Sequence, residues 1–376
     1  MKKLKILQYT GAMNRAGAET LLMNIYRNID RTKFEFHFIT HVNEKCDYDD
    51  EIVKLGGKII YLERPNIKKL NKFSKDFKAI IDEYGPYDAF HAHMQLLNGI
   101  VLKEAQDNNI KIRISHAHLN GDYSKSSILR KLYENYSKYL INRYSTHRLS
   151  CSYKSGEYLY KSNSFNLVSN AVDINQFKFN DKDSYIYDEL NLDKDMKLIT
   201  HIGRFVEAKN HKFIIDIFNE VIKKDKKYRL LLVGKGELID LIKNKVKENN
   251  LENYVYFLGL RSDINKILAS TDVFFMPSIL EGLPVVLVEA QAGGISCIIS
   301  DNIPEECDMG LNLITSLSLN DDIEMWARTI IKSVRLDIKF EVRKDKIIKS
   351  GYDLENNVRF MGELYSSNIL LKPKNS

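Results

Sequence analysis

The sequence predicts an α/β chain of two doubly wound domains, on three observations. Short apolar runs rich in β-branched and aromatic residues alternate with longer amphipathic segments from end to end, the pattern of parallel sheets covered by helices. A polar, acidic stretch without a clear period, centred on Asn180-Asp181-Lys182-Asp183-Ser184, interrupts that alternation near its middle. The length of 376 residues also exceeds the size at which one hydrophobic core keeps growing.

In the first half, strands are expected at residues 4–9, 34–39, 58–62, 89–92, 111–115 and 148–152, with helical patterns between most of them. The start, Met1-Lys2-Lys3-Leu4-Lys5-Ile6-Leu7, has a charged end like that of a leader. Gln8, Thr10, Asn14 and Arg15 break its apolar run at once, so a first strand is expected there. In the second half, strands are expected at residues 198–202, 229–233, 254–258, 273–276 and 297–300. The organisation that follows is a first domain over 1–170, a linker over 171–196 and a second domain over 197–350. Residues 351–376 form a C-terminal helix expected to pack back on the first domain.

Composition narrows the class. Hydrophobic residues at 44% and charged residues at 28% are ordinary for a globular chain, and no apolar stretch is long enough to span a bilayer. Cys46, Cys151, Cys297 and Cys307 are widely separated and lack paired metal-ligand spacing, which suggests free thiols in the cytoplasm. The net charge of +6 is modest and leaves anionic lipid and phosphate open as partners; no nucleic acid is expected.

In open α/β sheets, ligands sit outside the carboxyl ends of the strands, so the loops there carry the search for chemistry. Gly203-Arg204-Phe205-Val206-Glu207-Ala208-Lys209-Asn210-His211 follows an expected strand and opens a helix. Its glycine permits a tight exit, and an Arg with a Lys five residues on can grip a diphosphate from two sides. Solvated loop cations are the plainer reading. The run Pro277 to Ala290 follows another strand and holds Glu281 and Glu289 eight apart, with Gly282 and Pro284 shaping a turn into a helix. The carboxylates can accept hydrogen bonds from sugar hydroxyls, or serve as a capping acid and a surface Glu. Gly234-Lys235-Gly236-Glu237 lacks the third glycine of a dinucleotide fingerprint, and no Walker pattern is present.

Two histidine pairs, His91-Ala92-His93 and His116-Ala117-His118, end two strands, and alternation sends both members of each pair to one side. A metal site would need a third ligand and supporting groups. The residues at 128–144 read as a helix with Leu129, Leu132, Tyr133, Tyr136 and Leu140 at helical spacing among the basic Lys125, Arg130, Lys131, Lys138, Arg143 and Arg148. That is either the core face of a domain helix or a seat on an anionic membrane surface.

Gly203-Arg204 with Lys209-Asn210-His211, then Leu232-Val233-Gly234-Lys235-Gly236, Phe257-Leu258-Gly259 and the Glu281 to Glu289 segment occur in the order seen in family 4 of the retaining glycosyltransferases. The resemblance spans nearly the whole chain. Within the family it points to capsule and exopolysaccharide enzymes, through the segment Gly11 to Thr20 and through Arg113 to His118. It implies the GT-B fold, two Rossmann-like domains facing across a cleft that binds the activated sugar. The implied reaction moves a hexosyl or N-acetylhexosaminyl group, with retention, from a nucleotide diphosphate sugar, expected to be a UDP-sugar, to a saccharide or lipid-linked saccharide acceptor. The implied place is the cytoplasm or the inner face of the plasma membrane.

Residue by residue, the resemblance implies that Arg204 and Lys209, after Gly203, hold the donor diphosphate, and that Glu289 binds the ribose. Glu281 would bind the transferred sugar, with N–H groups from Gly282, Leu283, Pro284 and Val285 around sugar and phosphate. Leu260 or Arg261 falls where the family contacts the base. The family's two adjacent glycines near the start stand here as Ala16-Gly17, so a methyl narrows the approach to phosphate and leaves Gly17 as the candidate, beside the plainer reading of an ordinary turn. His93 would line the sugar and acceptor side and act catalytically with Glu281, Arg204 and Lys209. His91, His116 and His118 stand on the acceptor side, with a core role equally open for His91 and His116. No metal or other cofactor is expected, because two cations and helix N-terminal N–H groups can meet the leaving diphosphate. A sugar-nucleotide epimerase and a silent sugar-nucleotide-binding subunit are the alternative readings.

Overall fold

The computed structural model describes residues 2–119, 121, 127–160, 164–179 and 182–366. The chain divides into two compact units, residues 1–171 with 353–376, and residues 172–352.

The first unit is a seven-stranded parallel sheet built from β1 (Leu4–Tyr9), β2 (Phe34–Thr40), β3 (Lys58–Tyr61), β4 (Ala89–Ala92), β5 (Ile112–Ala117), β6 (His147–Ser150) and β7 (Asn166–Leu167). Their order is β3-β2-β1-β4-β5-β6-β7. A parallel sheet covered on both faces needs apolar residues on both, which is why its strands read as near-continuous apolar runs rather than strict alternation. One core gathers Ile6, Phe36, Ile114 and Leu149 with Met361, Leu364 and Tyr365 of the helix Leu354–Ser366. The other gathers Leu7, Ile39, Phe90 and Ala92 with Phe77, Val101 and Ile141. The C-terminal helix thus packs on the first unit; residues 367–376 lie outside those described.

The second unit is a six-stranded parallel sheet of β8 (Lys197–Ile202), β9 (Tyr228–Val233), β10 (Val255–Gly259), β11 (Val273–Met276), β12 (Ser296–Ser300) and β13 (Ile314–Leu317). Its order is β10-β9-β8-β11-β12-β13. Each strand expected from the sequence is present to within two residues at either end. β7 and β13 were not expected: one is only two residues long, and the other carries exposed Thr315 and Ser316 that blur its apolar run.

The linker expected over 171–196 is instead part of the second unit. Val172, Ile174 and Phe177 enter one of its cores, while Ile186 and Tyr187 of the helix Tyr185–Leu190 enter another. The buried Arg343 guanidinium donates to the carbonyls of Phe177, Phe179 and Ala292, and its Nε donates to that of Ile338 at 3.0 Å. One side chain thereby ties the polar stretch to the sheet's covering helices. Asn180 and Asp181, at the centre of the expected linker, lie outside the described residues.

In both sheets the strand order reverses direction once, between β1 and β4 and between β8 and β11. The loops leaving two such strands depart in opposite senses, which opens a crevice at their carboxyl ends.

Candidate active site

The second unit's reversal point is where its expected donor residues gather. β8 delivers Gly203 to Lys209, and β11 delivers Pro277 to the helix Val285–Ala292. The Ile279 N–H donates to the Ala208 carbonyl at 2.8 Å and Asn210 Nδ2 to the Pro277 carbonyl at 3.1 Å, so the two loops are laced together. A Cβ at position 203 would lie 3.2 Å from Lys209 Cδ and 3.0 Å from His201 Nε2. The absence of a side chain there leaves room for the Lys209 stem, whose Nζ meets Glu281 Oε1 at 2.5 Å. Both partners are largely buried, at 18% and 9% side-chain exposure. Arg204 is exposed, and its guanidinium makes no hydrogen bond or ion pair with a described residue.

The glycines after β9 also work through close approach. A Cβ on Gly234 would fall 2.1 Å from the Gly203 carbonyl oxygen, and one on Gly236 would fall 2.5 Å from that of Phe205. The Phe205 N–H donates to the Lys235 carbonyl at 3.0 Å, which holds the Arg204 loop from behind. This repeated glycine therefore shapes the Arg204 loop. His211 stacks on Phe205 at 4.1 Å and is pushed down to about 4 by burial, which makes it a neutral wall of the loop.

Glu289 lies in the second turn of the helix Val285–Ala292, among buried Leu287, Val288, Ala290 and Gln291. Its carboxyl finds no hydrogen-bond or ion-pair partner among the described residues, and burial pushes its pKa up to about 7. Pro284 caps this helix and has no N–H, so of the four residues expected to surround a sugar-phosphate only Gly282, Leu283 and Val285 can donate. Leu260 is 42% exposed. The Arg261 side chain is paired with Glu189 and with Asp263, at 2.6 Å each.

In the first unit, Gly17 opens the helix Gly17–Asn28 after β1, with no side-chain cap. The four histidines do converge at the carboxyl ends of β4 and β5. His93 shares 3.0 Å with His118 through its Nδ1 and 3.1 Å with the Gln8 amide oxygen through its Nε2. Gln8 donates to the Tyr365 hydroxyl at 3.0 Å, and Tyr365 meets His91 Nδ1 at 2.9 Å. One proton order satisfies the chain: His118 donates to His93, His93 to Gln8, Gln8 to Tyr365 and Tyr365 to His91. His116 stacks on His91 at 5.4 Å, and neither of its buried ring nitrogens meets a hydrogen-bond partner among the described residues. Burial, reinforced by neighbouring imidazoles, holds His91, His93 and His116 well below the usual histidine range, and burial pushes His118 down to about 4.

The nitrogens of His91, His93 and His116 lie within 4.8 Å of one another, the spacing of a three-histidine metal set. His93, however, already spends both ring nitrogens within the protein, so it must release Gln8 or His118 before it can meet a substrate. Sequence reasoning missed Gln8 and Tyr365. A polar residue inside an apolar β1 was the only signal for the first, and Tyr365 lies 274 residues from its histidine partner.

The expected helix is present as Ile128–Tyr144, capped by Ser127. Leu129, Leu132 and Tyr136 face solvent at 78%, 60% and 57% exposure instead of forming a core stripe. The packed face is Ser137, Lys138, Leu140 and Ile141. Lys138 is therefore no part of a basic surface: it is buried, paired with Glu134 at 2.5 Å and set over the Tyr158 ring. Lys125 lies outside the described residues.

Two doubly wound parallel sheets in one chain, with a Lys–Glu pair between two laced loops at the second sheet's reversal point, are the layout of a glycosyltransferase of the GT-B class. The chain belongs to the group 1 glycosyl transferases. The family model "Glycosyl transferases group 1" matches residues 185–350. The chain is 34% identical over 374 residues to EpsF of Bacillus subtilis (strain 168), named a glycosyltransferase, covering 96% of each. It is 26% identical to the capsular polysaccharide biosynthesis glycosyltransferase CapH of Staphylococcus aureus, covering 98% of this chain and 100% of CapH. Over 55% of each chain it is 27% identical to the UDP-Gal:alpha-D-GlcNAc-diphosphoundecaprenol alpha-1,3-galactosyltransferase of Escherichia coli. Among solved structures, Anabaena Alr3699/HepE in complex with UDP shares the fold at a TM-score of 0.76 and 17% identity, covering 97% of this chain and 100% of that one.

Proposed function

We propose that the chain transfers a hexosyl or N-acetylhexosaminyl group from a UDP-sugar to a hydroxyl of a lipid-linked saccharide in capsule or exopolysaccharide synthesis. The anomeric configuration is retained and no metal is required. The observation that carries this reading is the Lys209–Glu281 pair in the same loop as an exposed Arg204 that pairs with no described residue. Donor binding would exchange this pair, drawing Lys209 with Arg204 onto the diphosphate and freeing Glu281 to accept hydrogen bonds from the transferred sugar. Fixed cations would then meet the charge that develops as the sugar–phosphate bond breaks. The names of the S. aureus and E. coli relatives support the capsule setting, the uridine nucleotide and the lipid-linked acceptor. The solvent-facing Leu129, Leu132 and Tyr136 support a peripheral seat at the inner face of the plasma membrane. No described helix is long and apolar enough to cross a membrane.

The test is a panel of nucleotide sugars. A UDP-sugar is expected to raise the melting temperature of the second unit and to be consumed only when a saccharide acceptor is present. Consumption without an acceptor, with a new sugar nucleotide formed, would instead indicate an epimerase. Binding without any consumption would indicate a silent subunit.

Glu289 gives this reading a pH signature. A ribose contact is stronger with the ionised carboxylate as acceptor, and burial pushes the pKa of that group up to about 7. UDP affinity should rise from pH 6 to pH 8 by roughly fivefold to tenfold as Glu289 ionises. Calorimetry on wild type beside Glu289→Gln isolates this from the titration of the phosphate itself. Equal pH dependence in the two proteins would remove Glu289 from the ribose.

A further inference from the structure

Gln8 stands in β1 beside His91 of β4, its register partner, and is fully buried. Its side-chain amide is spent at both ends inside the protein, the oxygen on His93 Nε2 at 3.1 Å and the nitrogen on the Tyr365 hydroxyl at 3.0 Å. An amide oxygen only accepts, so His93 carries its proton on Nε2 and its lone pair on Nδ1. Tyr365 holds the amide in that sense from the C-terminal helix. Its hydroxyl accepts from Gln8 and gives its own hydrogen to His91 Nδ1 at 2.9 Å. Its ring is held by edge contacts to Phe36 at 5.6 Å and Phe34 at 6.1 Å, in the core shared with Met361 and Leu364.

Both ring nitrogens of His93 are occupied, and its two partners differ in what it costs to leave them. Turning away from Gln8 strands a buried amide oxygen that no other described donor meets. Turning His118 away from Nδ1, which it meets at 3.0 Å, strands much less. His118 lies one residue past β5 and is partly exposed, so its freed N–H reaches water. Its backbone N–H donates to Gln95 Oε1 at 3.2 Å, which keeps the main chain in place while the ring swings. Nδ1 is therefore the nitrogen that His93 can offer, and it is offered as an acceptor. Among the groups of a sugar, a hydroxyl hydrogen is what a neutral imidazole lone pair binds.

We infer that Gln8 and Tyr365 are positioning residues: they hold His93 as its Nε2–H tautomer, and His93 Nδ1, once His118 swings aside, accepts a hydrogen bond from a sugar hydroxyl. The hydroxyl half of this rests on the sugar transfer proposed above; the tautomer half does not.

The first test is nitrogen-15 NMR of the full chain labelled at histidine, with the His93 signals assigned by their loss in His93→Gln. Wild type should show a protonated Nε2 and an unprotonated Nδ1. Gln8→Met, which keeps the length and removes the acceptor, should bring in a comparable population of the Nδ1–H tautomer. Tyr365→Phe, which keeps the ring and removes the hydroxyl, should bring in a smaller share. Nδ1–H in wild type, or Nε2–H unchanged in Gln8→Met, overturns the inference. The wild-type spectrum needs no variant, so it stays decisive if either substitution unfolds the first unit. The second test is glycosyl transfer with the UDP-sugar selected by the panel above. Gln8→Met should lower kcat about tenfold and Tyr365→Phe about threefold, with KM changed about twofold at most. An unchanged kcat beside an altered tautomer overturns the role in transfer. A shift of the wild-type Nδ1 signal on adding the UDP-sugar alone assigns the hydroxyl to the donor, and a shift that needs the saccharide acceptor as well assigns it to the acceptor. No shift with both present overturns the contact. The expected tautomer in a wild type that turns over no sugar nucleotide counts against the transfer reading and leaves the positioning of His93 standing.

Discussion

Lys209→Met is expected to lower kcat/KM for glycosyl transfer by about 10²–10³, the cost of removing one preorganised charge from a developing anion. Arg204→Met should do the same with little change in stability, because the residue is exposed and its guanidinium has no partner among the described residues to strand. Lys209 differs, since its loss leaves the Glu281 carboxylate unpaired at 9% side-chain exposure. The double variant Lys209→Met, Glu281→Gln separates the two contributions. If Lys209 serves only to neutralise Glu281, the double variant turns over as fast as Glu281→Gln alone; if it grips the donor diphosphate, stability returns while turnover falls well below that of Glu281→Gln. Activity in these assays should survive EDTA, and a loss restored by manganese would overturn the metal-free proposal.

The second large effect concerns stability. Arg343→Met should destabilise the second unit by roughly 2–4 kcal/mol, since it strands the carbonyls of Phe179, Ala292 and Ile338, for which no other donor is found among the described residues, at about 1 kcal/mol or more apiece; the Phe177 carbonyl keeps the Phe179 N–H. The gain from no longer burying a guanidinium offsets part of this, which keeps the expected value below the sum. In urea the transition of the second unit should move to lower concentration while that of the first stays in place, and a single-transition fit would hide the difference. An unchanged second transition would mean that apolar burial of Val172, Ile174 and Phe177 alone fixes this segment.

The two large effects fall on features of different legibility. Arg204 and Lys209 were legible because a loop after a parallel strand is announced by the strand's apolar run, the glycine at its exit and the helix that follows. What they reach was not. Lys209 meets Glu281 across 72 residues, and only the order of β8 and β11 in the sheet makes them neighbours. Arg343 was invisible for the same reason: a cation in an amphipathic helix reads as solvated until the fold places carbonyls around it.

The sequence by itself determined the α/β class, eleven of the strands and the loops that carry the candidate donor residues, because apolar period, glycine and proline act over a few residues. Tertiary structure alone decided three things. It drew 172–196 into the second unit, since a polar stretch is a linker or a covering layer according to what lies under it. It turned Leu129, Leu132 and Tyr136 outward and Lys138 inward, because helical spacing fixes which residues share a face and not which face is covered. It also joined Gln8, His93, His118, Tyr365 and His91 into one hydrogen-bonded chain, since such bonds depend on distances that only the packing of β1, β4 and the C-terminal helix sets.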